Sequence, residues 1–97
     1  MLLKVGTNFQ PHENLLPALR AVDNIFKHHG QMMIITSLKD REHSAGSKHY
    51  IGKAFDLRIR HIGEQYNFQS LYEDIENALT GFGKIIDEKT HWHIEVN

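Results

Sequence analysis

Hydrophobic positions in this chain follow two different spacings. Over residues 14–29, Leu15, Leu16, Leu19, Val22, Ile25 and Phe26 recur three and four apart, which places them on one face of a helix. Pro17 falls in the first turn, where a missing N–H costs little, and Gly30 lies just past the last turn. The same spacing returns over Phe68–Leu79, with Phe68, Leu71, Tyr72, Ile75, Ala78 and Leu79 on one side, before Gly81 and Gly83. Other segments have the period of a strand. Residues 32–36 are a short apolar run expected to form a buried strand, and residues 53–60 alternate. Phe55, Leu57 and Ile59 take one face there, and Ala54, Asp56 and Arg58 take the other. Residues 84–87 and His91–Val96 read as two more strands, with a turn at 88–90 between them. Residues 37–48 are polar, contain Gly46 and read as a loop.

The order helix, strand, strand, helix, strand, strand predicts an α+β layer fold. Two helices would pack on a small, mostly antiparallel sheet. Because the strands are short and close in sequence, hairpin-type connections are expected rather than βαβ crossovers. At 97 residues the chain has enough apolar surface for one core, so residues 1–97 are read as a single domain.

Composition narrows the function. Eleven Lys+Arg against twelve Asp+Glu give a formal net charge of -1, which disfavours a phosphate-coating nucleic-acid binder and, with it, a histidine–metal nuclease. With no cysteine, disulfides, thiolate metal sites and a cysteine nucleophile are excluded. No run approaches the ~20 apolar residues of a membrane span, so no membrane partner is expected. Residues 1–10 do not read as a signal peptide. The chain is, however, rich in histidine, with eight. Histidine is the commonest metal ligand and the side chain that titrates near neutral pH. His12, His28, His29 and His61 are expected to be ordinary surface residues; the other four are His43, His49, His91 and His93.

Those four fall in or beside two informative segments, 47–56 and 88–93. His91 and His93 are two apart in a predicted strand, so both imidazoles project from one face, while Trp92 and Ile94 turn to the core. Asp56 lies on the polar face of its own strand, flanked by Phe55 and Leu57, and a carboxylate so close to a core needs a partner. Two imidazoles and a carboxylate form a donor set typical of catalytic zinc, although other divalent ions also accept it.

Ser47-x-His49-x-x-Gly52-x-Ala54-x-Asp56, followed by His91-x-His93, resembles the zinc D-Ala-D-Ala carboxypeptidase family, peptidase family M15, with its Hedgehog-type fold. The resemblance spans residues 35–95 and is strongest with short phage and bacterial members at 43–50 and 88–95. It implies a Zn2+ peptidase acting on the stem peptides of bacterial peptidoglycan, as a D,D-carboxypeptidase or as an L-Ala-D-Glu or cross-link endopeptidase. The implied zinc ligands are His49, Asp56 and His93. His91 would act at the transition state, Glu88 is a candidate general base, and His43 and Ser47 would line the substrate groove. Many members carry an arginine after the first central strand, and here Lys39, Arg41 and Arg58 are the candidates for its role. A monomer is expected. Without a visible signal peptide, the resemblance points to a phage-type enzyme that reaches the cell wall by holin-type release or on the virion. The alternative is a zinc-containing module that binds cell wall or peptide without turnover.

Overall fold

A computed structural model describes residues 1–4, 15–37, 53–63 and 66–97. The elements are β1 (Leu2–Leu3), α1 (Leu15–His28), β2 (Ile34–Ser37), β3 (Ala54–Arg58), α2 (Phe68–Leu79), β4 (Gly83–Asp87) and β5 (His91–Val96). The five strands form one sheet in the order β1-β2-β3-β5-β4. Every neighbouring pair is antiparallel except β1 with β2, which is parallel. Two helices on a mostly antiparallel sheet are the α+β arrangement that the periodicity predicts.

Two features depart from that expectation. The two-residue strand β1 lies in a segment with no strand signal, because pairing with β2, rather than its own pattern, makes it a strand. Its parallel pairing turns β1–α1–β2 into a crossover, where hairpin-type connections were expected. Parallel neighbours cannot be joined by a tight turn, and α1 supplies the required span.

Helix α1 buries Leu15, Ala18, Leu19, Val22 and Phe26, and α2 buries Leu71, Ile75 and Leu79. These side chains meet Phe55 and Leu57 of β3, Ile85 of β4, and Trp92, Ile94 and Val96 of β5 in one core. Gly30 ends α1 with φ +71°, a left-handed conformation that costs glycine little. The chain reverses there, so that the Gln31 N–H donates to the Phe26 carbonyl at 2.8 Å. Asn67 caps α2 by accepting a hydrogen bond from the Ser70 N–H at 3.1 Å. Gly83 is required for a different reason: a Cβ there would lie 2.7 Å from the Glu95 carbonyl oxygen.

The register of β3 on β5 positions the site. Phe55 pairs with Ile94 and Leu57 with Trp92, on the face that the helices cover. The alternate pairs, Asp56 with His93 and Arg58 with His91, therefore share the other face. Burial along β5 alternates in step: Trp92, Ile94 and Val96 are buried, while His91, His93 and Glu95 are half-buried. On the far side of β3, the register with β2 shifts between Ile35 and Ser37, so Ser37 pairs with Asp56. An irregularity of this kind bends a strand and re-aims its side chains.

Candidate functional site

Four polar side chains converge on the sheet face away from the helices. Asp56 stands directly across the strand pair from His93 and meets it in a 2.9 Å hydrogen bond between Asp56 Oδ1 and His93 Nδ1. Both side chains are about 85% buried, with exposures of 15% and 14%. His91, one alternation further along β5, brings Nε2 to 4.0 Å from Asp56 Oδ2. Its other ring nitrogen, Nδ1, lies 3.0 Å from the Thr90 hydroxyl. That contact fixes the imidazole so that Nε2 faces the carboxylates. Glu88 reaches in from the β4–β5 turn, 3.8 Å from His91 Nε2 and 3.7 Å from His93 Nδ1.

The turn itself holds Glu88 in place. The Glu88 N–H donates to the His91 carbonyl at 3.0 Å, and the Thr90 N–H donates to the Glu88 carbonyl at 2.8 Å. The Asp87 carboxylate accepts from the Lys89 N–H at 2.8 Å. Lys89 has φ +71°, the left-handed conformation that a side chain adopts only at a cost of roughly 1–2 kcal/mol. Tight turn bonds and a strained residue thus present one carboxylate beside two imidazoles.

Protonation of His93 is governed by its neighbour. The hydrogen bond that His93 donates to Asp56 raises its pKa above the ordinary histidine value; burial opposes this, and the charges of Asp56, Glu95 and Glu88 add to the rise.

Donor atoms of Asp56, Glu88 and His91 all lie within 4.8 Å of one another, close enough to share one ion. His93, bonded to Asp56, adjoins the same cluster. Of the ligands that the motif implies, Asp56 and His93 come together, while His49 lies outside the described residues, as do His43 and Ser47. Lys39 and Arg41 also lie outside them, and Arg58 falls on the same sheet face, paired across the strands with His91. Oxygen and nitrogen donors in this mixture suit zinc, and the cluster's chemistry fits such an ion without assigning it.

The surface assignment of four other histidines needs revision in one case. His28 and His61 are exposed, although His61 Nε2 donates to the Met32 carbonyl at 2.6 Å, and His12 lies outside the described residues. His29 is not an ordinary surface residue: its side chain is only 11% exposed. Its Nε2 donates to Asp74 Oδ2 of α2 at 2.6 Å, and its Nδ1 meets the Tyr66 hydroxyl. These partners are 45 and 37 residues away in sequence, so no local pattern around His29 signals them.

A cleft of about 820 Å3 opens beside the cluster, with Asp56 and His91 in its wall. The rest of its lining includes Lys4, Arg58, Arg60 and Lys89 with Ile59, Ile62 and Phe68. Sequence alternation over 53–60 places Arg58 on that face, whereas Lys4 and Lys89 come from distant parts of the chain. Comparison with protein-family models, curated proteins and solved structures returns no match to this chain. What fold and site define is a two-layer α+β domain carrying an Asp–His–His–Glu cluster on one sheet face, next to a cationic cleft. No helix among the described residues is long and apolar enough to cross a membrane.

Proposed function

We propose that this chain is a zinc-dependent peptidase that hydrolyses peptide bonds in the stem peptides of bacterial peptidoglycan. The observation that carries the reading is the convergence of Asp56, His91, His93 and Glu88 on one sheet face beside an open cleft of about 820 Å3. The resemblance of 47–56 and 91–93 to the M15 peptidases supplies the substrate class and the third ligand. In this reading His49, Asp56 and His93 hold the ion. When bound, zinc polarises a carbonyl and makes water a better nucleophile near neutral pH.

The remaining chemistry falls to the chain's own side chains. Glu88, exposed at the turn and 3.8 Å from His91, accepts the proton of the attacking water. His91 Nε2 faces the same space and donates to the carbonyl oxygen as negative charge develops on it. Thr90 keeps that imidazole turned towards the substrate. Cell-wall action from the cytoplasm, by holin-type release or on a virion, belongs to the same proposal, as does a monomeric state.

The test is mass spectrometry of purified muropeptides after incubation with the zinc-loaded protein, with Asp56→Ala as control. Removal of a terminal alanine, or scission of the stem, by wild type and not by the variant supports the reading and names the bond. Unchanged muropeptides in the presence of stoichiometric zinc overturn it in favour of a binding module.

A further inference from the structure

His29 lies outside the cluster, yet its partners lead to the cleft. The His29 N–H donates to the Ile25 and Phe26 carbonyls, each at 3.1 Å, so its backbone is fixed to the end of α1. Its mostly buried imidazole joins two other segments. Nε2 donates to Asp74 Oδ2, within α2, at 2.6 Å, and Nδ1 meets the hydroxyl of Tyr66, in the connection between β3 and α2. The carboxylate fixes the ring proton on Nε2, which leaves Nδ1 of the neutral ring to accept from the hydroxyl. When the ring takes up a second proton, Nδ1 becomes a donor, and the hydroxyl donates to the His29 carbonyl, 3.3 Å away. Tyr66 is therefore held by residue 29 in either state of the imidazole.

The same connection supplies one wall of the cleft. Ile59 and Ile62 come from it, and Phe68 begins α2 directly after it. It contains no helix or strand among the described residues, so its side-chain anchors matter. The Phe68 N–H donates to the Tyr66 carbonyl at 3.0 Å, which passes the position of Tyr66 to Phe68. The Phe68 ring stands edge-on to Trp92, with centroids 6.0 Å apart and planes at 85°. Trp92 lies between His91 and His93 on β5. A contiguous chain of contacts thus runs from the end of α1 to the strand that carries the cluster.

We infer that His29 is a positioning residue for the cleft: through Tyr66 it sets the place of Ile62 and Phe68 in the wall that a substrate meets beside Asp56 and His91. This inference rests on the peptidase reading above. The wall touches substrate away from the reacting atoms. Loosening it weakens binding of ground state and transition state alike, so KM rises while kcat is kept.

Three substitutions separate the contacts. Tyr66→Phe removes the hydroxyl and keeps the ring. An Asn amide reaches the place of Nδ1, so His29→Asn keeps a partner for Tyr66 and loses Asp74. The longer Gln reaches the place of Nε2, so His29→Gln keeps Asp74 and loses the contact of Nδ1. Wall position is read by NMR from the Ile62 methyl and Phe68 ring signals, stability from the thermal midpoint, and turnover from muropeptide cleavage by the zinc-loaded protein. Tyr66→Phe is expected to move both sets of signals and to raise KM about fivefold, with kcat within about twofold of wild type. His29→Gln moves the same signals in the same direction and serves if Tyr66→Phe does not fold, whereas His29→Asn leaves them near wild type. Signals unmoved in the folded Tyr66→Phe and His29→Gln variants overturn the inference. So does KM unchanged where the signals move, or equal effects of Asn and Gln that follow the thermal midpoint alone. Signals that move as expected while even wild type cleaves no muropeptide overturn the peptidase reading and leave the positioning of the wall standing. Cleavage by wild type with unmoved signals in the variants does the reverse.

Discussion

Asp56 and His93 face each other across β3 and β5, and their 2.9 Å hydrogen bond is a direct product of strand register. The alternation that buries Phe55, Leu57, Trp92 and Ile94 leaves these two polar residues no other face to occupy. A one-residue slip would exchange the two sets, placing the carboxylate and imidazole in the core. Core packing therefore enforces the geometry of the site.

That bond sets a pH dependence in the metal-free protein. The pKa of His93 in the folded state is raised, so the folded chain retains its proton beyond the pH at which the unfolded chain releases it. The associated stability is fully present below about pH 6.5, the ordinary histidine value, provided Asp56 is ionised, and it is lost as pH rises through the folded pKa. NMR titration of the imidazole signals is expected to give His93 a midpoint above 6.5. Asp56→Asn should bring that midpoint down, and no change on this substitution would mean that the bond does not govern the proton.

In the proposed reading Glu88 and His91 act on substrate, and Asp56 and His93 hold the ion. Glu88→Gln and His91→Ala are accordingly expected to lower turnover by a factor of roughly 100 or more, in the range typical of general acid–base groups. Zinc content, measured by atomic absorption on the same samples, should stay near that of wild type. Loss of metal in step with activity would make Glu88 and His91 ligands instead, as their 4.8 Å grouping with Asp56 also allows.

His29 ties the end of α1 to α2 and to the segment before it, through Asp74 and Tyr66. Removing the imidazole loses both side-chain contacts, at a net cost of about 1 kcal/mol, because half-exposed Asp74 can turn to water and the Tyr66 hydroxyl keeps the His29 carbonyl. His29→Ala should lower the thermal midpoint by several degrees, given the size of the domain. An unchanged midpoint would show that the contacts contribute nothing measurable.

Much of this molecule is legible along the chain because the signals are periodic. The three-and-four spacing of Leu15 to Phe26 and of Phe68 to Leu79 marks both helices, and the two-residue alternation at 53–60 and 91–96 marks the strands that carry the site. The same alternation places His91, His93, Asp56 and Arg58 on one face. Long-range pairing leaves no such trace. Strand β1 exists because Leu2 and Leu3 pair with Ile34 and Ile35, and His29 is drawn inward by residues from another helix and a distant loop. The cationic cleft is likewise assembled from β1's end, β3 and the β4–β5 turn, which no local window contains. His43, Ser47 and His49 come from the motif alone, and they lie outside the described residues.

The central claim is that the face shared by β3 and β5 holds a metal ion. A zinc titration of the wild-type protein and of Asp56→Ala, followed through the histidine side-chain signals by NMR, tests it most directly. Saturation at one equivalent is expected, with shifts at His93 and His49, and at least a tenfold loss of affinity in the variant. Zinc that leaves the His93 signal in place, or that binds Asp56→Ala as tightly as wild type, would contradict it.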